Sequence, residues 1–119
     1  MDLRTKLQLG AGQKMLGVDV PVDLVVALGD SLTTGADDAP GDALLVFVAD
    51  QAGLEPRRSQ VVASARDDRL TWVAYPKAGR LGTDLNRDRL AASLTVDGVR
   101  PVRQVALDEV WSALRFRPA

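Results

Sequence analysis

At 119 residues, with 46% hydrophobic and 26% charged side chains and a net charge of −1, the chain fits one ordinary globular domain, 1–119, and excludes disordered and fibrous classes. Its 15 basic residues, 12 of them arginine, are spread along the sequence without a basic stripe, which argues against a nucleic-acid partner. With neither cysteine nor histidine, the chain excludes disulfides, thiol nucleophiles, Ser-His triads, thiolate metal centres and ordinary zinc sites.

Chemistry would therefore rest on carboxylates, lysine, arginine, tyrosine or hydroxyls. No basic segment leads into an apolar leader, and no apolar run approaches the length of a membrane span, so the expectation is no membrane partner and a cytoplasmic location.

In chain order, LGAGQ (Leu9 to Gln13) precedes a predicted first strand, Lys14 to Val20. Pro21 suits the first position of a short helix in which Val22, Val25, Val26 and Ala27 recur at helical spacing, stopped by Gly29. Asp30 to Asp42, DSLTTGADDAPGD, is rich in turn-formers and acids and reads as an exposed loop. Ala43 to Ala49, ALLVFVA, is a continuous apolar run, the signature of a strand covered on both faces.

Leu54, Val61, Val62 and Ala65 then share a helical face, leaving Arg57, Arg58 and Arg66 for solvent. LTWVAY (Leu70 to Tyr75) predicts a second buried strand, ended by Pro76. After the loop KAGRLG, Thr83 is a suitable N-cap for a helix to about Leu94, with Asp84 in its first turn. Val102 to Asp108 and Trp111 to Phe116 alternate as a closing hairpin, in which Arg115 and Arg117 either guard an edge or face a partner. Trp72, Trp111, Phe47 and Phe116 are as many large aromatics as such a core or interface needs. Strands alternating with helices predict an α/β domain, a small three-layer, mostly parallel sheet ending in an antiparallel hairpin.

Three blocks, WVAYPK (Trp72 to Lys77), TDLNRD (Thr83 to Asp88) and DEVWSALRF (Asp108 to Phe116), occur in an order and spacing that resemble the DUF3052 family, a bacterial family of unknown function. That resemblance implies no activity. It implies a Rossmann-like fold, similar to a truncated class I methyltransferase core. The departures from a cofactor-binding core are plain: where a glycine-rich turn should follow the first strand the chain has Val18-Asp19-Val20-Pro21-Val22, and the Asp30–Asp42 loop stands where a second strand and its ribose-binding acid would lie. No cofactor, metal or catalytic residue is expected.

The favoured candidate site is the loop from Tyr75 to Thr83 at the carboxyl end of a central strand. Lys77 and Arg80 would supply charge, Gly79 and Gly82 close approach, and the helix start at Thr83 free amides for a phosphate or carboxylate. Asp50, ending another strand, would face this loop as a base, or cap the following turn. Asp84 and Asp88, spaced i and i+4, would be a weak magnesium pair beside Arg87 and Arg89, or ordinary first-turn acids. The plainer alternative for the Tyr75–Thr83 loop is a solvated connection. Two functions follow: a non-catalytic Rossmann-like binding or interaction domain, or a small-anion-binding protein, possibly an enzyme, using that loop. A shortened sheet leaves the first strand or the hairpin as an apolar edge, which predicts a homodimer or a protein partner.

Overall fold

The computed structural model describes residues 2–34 and 42–119. Six strands form one mixed sheet: β1 (Met15–Val18), β2 (Leu32–Thr34), β3 (Ala43–Phe47), β4 (Leu70–Pro76), β5 (Val99–Ala106) and β6 (Trp111–Pro118), in the order β2-β1-β3-β4-β6-β5. The first four are parallel neighbours, and β6 runs antiparallel to both β4 and β5.

Side-chain alternation divides the sheet into two faces. Leu44 and Val46 of β3 and Val73 of β4 point to the face covered by α4 (Arg58–Arg66) and α5 (Arg87–Thr95), where Val61, Ala65, Leu90 and Leu94 are buried against them. Leu45 and Phe47 of β3 and Trp72 of β4 point to the other face, covered by α1 (Leu3–Lys6) and α2 (Val22–Leu28) through Leu7, Leu24 and Leu28. Every residue of β3 is buried, as its unbroken apolar run requires. A short helix, α3 (Gln51–Leu54), precedes a 3₁₀ turn, Glu55–Arg57, that leads into α4.

The indole of Trp72 fastens the N-terminal segment to the sheet. It is fully buried, and its Nε1 donates to the carbonyl of Leu7 at 3.0 Å. The other tryptophan, Trp111, is half-buried and meets Phe47 edge-on at 5.0 Å. The hairpin turn is closed by Asp108, whose Oδ1 accepts from the amides of Val110 (2.8 Å) and Trp111 (2.7 Å).

Several expectations need correction. Ser31 to Thr34 are not loop: Leu32–Thr34 form a strand parallel to β1, which three alternating residues beside a run of acids do not announce. Residues 35–41 of the expected loop lie outside the described residues. In α2 the buried stripe is Leu24 and Leu28, while Val22 and Val26 are 74% and 76% exposed. Both pairs have i, i+4 spacing, and the helix turns its longer side chains inward. Nor is Arg58 a solvent-side residue: it binds Glu55, Asp97 and both oxygens of Ser93, joining α4 to α5.

The hairpin does form an edge of the sheet, as expected, but not an apolar one. β1 lies inside the sheet, and the hairpin strand at the edge is β5, which exposes Arg100, Arg103 and Gln104, contains Pro101 and is interrupted by a bulge between Pro101 and Arg103. Charge, proline and a bulge all discourage further strand pairing. Because β6 lies between β4 and β5, Arg115 and Arg117 guard no edge. No helix among the described residues is long and apolar enough to cross a membrane.

Candidate functional site

β1 has β2 on one side and β3 on the other, so the direction of sheet building reverses there, and the crevice beyond the carboxyl ends of β1 and β3 is where an open sheet of this kind takes a ligand. The turn after β1 places Asp19 in the left-handed region, φ 58°, where glycine is the usual occupant. Its carboxylate accepts from Arg57 Nη2 at 3.1 Å, linking the β1 turn to the 3₁₀ turn beyond β3.

Beyond β3, Asp50 is the N-cap of α3, and its Oδ1 accepts from the amide of Gly53 at 2.7 Å. A second carboxylate, Asp84, reaches the same helix start from the segment after β4 and accepts from the amide of Gln51 at 2.9 Å. Two of the amides that would greet an incoming anion at α3, those of Gln51 and Gly53, are therefore engaged by the protein's own acids.

The residues expected to form the anion site are only partly brought together. Tyr75 points into the core between the sheet and α5, is 2% exposed, and its hydroxyl accepts from Gln104 Nε2 at 2.9 Å. Burial pushes its phenol above the ordinary value of 10.0. Lys77 uses its backbone amide to bond Val110 at 2.7 Å, continuing the β4–β6 pairing into the hairpin turn. Arg80 is exposed in a turn closed by its amide on the carbonyl of Lys77 at 2.8 Å. Among the described residues neither Lys77 nor Arg80 has a side-chain ion pair, with Asp50 or any other acid.

Thr83 does not begin a helix, which corrects the premise of free amides there. Its hydroxyl accepts from Leu85, and the chain remains non-helical until Asn86, whose side chain caps α5 by accepting from Arg89 at 2.8 Å. Both residues are good caps, but Leu85, 2% exposed, belongs in the core, and the short extended stretch from Thr83 to Asn86 puts it there. Asp84 precedes the helix, so it and Asp88 do not stack on one helix face; Asp88 is engaged by Arg87 at 3.3 Å.

No family model, curated protein or solved structure matches the chain.

Sequence reasoning missed the Asp19–Arg57 pair, because 38 residues separate its members and nothing local marks them as neighbours. Proximity follows only once β1 and β3 are known to be adjacent.

Proposed function

We propose that the chain is a non-catalytic binding or interaction domain built on a Rossmann-like sheet. One observation carries this reading: the strand-end crevice is occupied by the protein's own groups, with Asp19 held by Arg57 and the start of α3 capped by Asp50 and Asp84. A catalytic crevice keeps its donors and acceptors free for substrate. The reversal of strand order at β1 and the antiparallel β6 support the truncated methyltransferase-like reading of the architecture. The three blocks that resemble the DUF3052 family fall in β4, in the segment entering α5, and in the hairpin turn and β6.

A protein partner or a second copy would be met at the outer face of α2, where Val22 and Val26 stand side by side in solvent. The alternative, an anion held by the loop after β4, retains Lys77 and Arg80, which have no ion pair among the described residues, but has lost the helix start at Thr83.

A thermal-shift screen of the purified protein tests the reading, since a ligand that prefers the folded state raises its melting temperature. S-adenosylmethionine, nucleoside monophosphates and sugar monophosphates, none of which carries linked phosphoryl groups, are expected to leave the wild type unchanged. A dose-dependent rise abolished by Lys77→Ala would overturn the reading in favour of the loop as a ligand site. Light scattering at tens of micromolar, roughly where a micromolar dimer persists, tests self-association, which is expected to weaken in Val26→Asp.

A further inference from the structure

Four of the arginines that are scattered in the sequence are gathered by strand register onto one face of the sheet. β5 and β6 pair Arg100 with Arg117 and Arg103 with Arg115, and directly paired residues of antiparallel strands project to the same side. In a regular strand Arg100 and Arg103, three residues apart, would face opposite ways. The bulge between Pro101 and Arg103 inserts the extra residue that brings both to the face shared with Trp72, the neighbour of Arg115 across β4.

This arrangement is electrostatically unfavourable as it stands. Like charges directly opposed on adjacent strands destabilise a sheet. Arg100, Arg103 and Arg117 are exposed and Arg115 is half-buried. Among the described residues the only carboxylate paired with any of the four is Asp68, which binds Arg117 through both of its oxygens at 3.1 Å. Among the described residues Arg115 has only a neutral partner, Gln8 Oε1 at 2.7 Å from Nη1, while its Nε is buried without any partner. Arg100 Nε bonds the carbonyl of Pro118 at 3.2 Å, and among the described residues Arg103 has no side-chain hydrogen bond or ion pair. Burial, followed by the nearby charge of Arg117, holds the Arg115 guanidinium below its ordinary value.

We propose that this four-arginine face binds a ligand made of linked phosphoryl groups, with one group bridging Arg103 and Arg115 and the next reaching Arg100 and Arg117. A phosphoryl group offers three oxygens, enough to engage two guanidinium forks together, whereas a carboxylate fills one fork. A peptide adding to the edge of β5 would meet Pro101 and the bulge, so recognition belongs to the face and not to the edge. Trp72 is wholly buried beneath this face, leaving no indole there for a base to stack on, so the ligand is read through phosphate oxygens. The site is independent of the strand-end crevice.

The test is calorimetric titration with sodium tripolyphosphate, in about 50 mM and about 150 mM salt, alongside NMR of the arginine Nε–H signals. Binding that weakens with salt and shifts the Arg103 and Arg115 signals is expected. Arg103 is exposed, so R103Q is expected to keep the wild-type melting temperature while losing about tenfold or more in affinity, with R103K, which keeps the charge without the fork, in between. D68N, which releases Arg117, is expected to bind more tightly than the wild type.

Duplex DNA at matched phosphate concentration sorts the source of the phosphates. Comparable binding makes a phosphate backbone a ligand, and tripolyphosphate alone restricts the site to short chains. DNA alone would overturn the proposal, as would absence of tripolyphosphate binding to the wild type. So would affinities unchanged in both R103Q and D68N, or binding that survives R103Q and is abolished by Lys77→Ala, which places the anion at the loop after β4.

Discussion

Replacing Asp19 by glycine separates the structural role of this residue from its occupation of the crevice. Three effects set the stability change. A non-glycine residue in the left-handed region costs on the order of 1–2 kcal/mol, with aspartate at the lower end, so glycine at φ 58° recovers about 1 kcal/mol. The extra freedom of glycine in the unfolded chain removes roughly 0.5–1 kcal/mol. The lost pair with Arg57 removes about 0–1 kcal/mol, because the two side chains are 62% and 39% exposed and water screens them. These nearly cancel, so D19G should unfold in urea within about 1 kcal/mol of the wild type. Its crevice should also bind anions that the wild-type crevice refuses, since Arg57 is freed and the β1 turn has lost its carboxylate. With the arginine face disabled by R103Q, pyrophosphate at ten times its dissociation constant should then stabilise D19G/R103Q by about 1.4 kcal/mol in a thermal-shift assay and leave R103Q alone unchanged. A loss above about 2 kcal/mol would show that the pair is a structural tie stronger than its exposure allows. Native stability without any gain in anion binding would refute the claim that the pair keeps the crevice closed to ligands.

Trp72→Phe should cost about 1–3 kcal/mol, read from the urea midpoint, because it leaves the buried carbonyl of Leu7 without its donor; hydrogen exchange should rise first between residues 3 and 9. Asn86→Ala should cost about 1 kcal/mol in the same assay and Thr83→Ala distinctly less, since Asn86 is the α5 cap. Gly17→Ala should cost about 1–3 kcal/mol, because a new Cβ would stand 2.6 Å from side-chain atoms of both Leu32 and Val20, and its unfolding midpoint is the measurement. Arg58 holds the Glu55 carboxyl below its ordinary 4.5, and Arg117 holds that of Asp68 below 3.8. Their stabilising effect is complete above those values and is lost as the pH falls through the lowered ones, so the urea midpoint should fall from pH 6 to pH 3, less steeply in the double variant E55Q/D68N.

What was legible in the sequence was whatever depends on local periodicity. β3 and β4 are apolar runs of the right length, and the hairpin of β5 and β6 shows its alternation, so the α/β class and the closing antiparallel pair follow from patterning. Competition between equivalent local signals was not legible. Val22 and Val26 match Leu24 and Leu28 in spacing, Thr83 matches Asn86 as a cap, and only the demands of the assembled core choose between them. β2 is three residues long, too short to carry a period of its own, and it exists because β1 offers it an edge.

The charged groups illustrate the limit more sharply. A search for a basic stripe along the chain finds none, yet pairing β5 with β6 turns residues 17 and 12 positions apart into neighbours, and one bulge decides whether Arg103 joins them. The same is true of the acids. Asp84 lies 33 residues from the amide it engages, and local pattern assigned it to the first turn of the wrong helix. Patterning specifies where a strand or helix lies because burial repeats with the local period, whereas a polar side chain finds its partner only after register has been set. A functional reading of this chain therefore rests on register: it closes the crevice at Asp19 and opens the arginine face at Arg103.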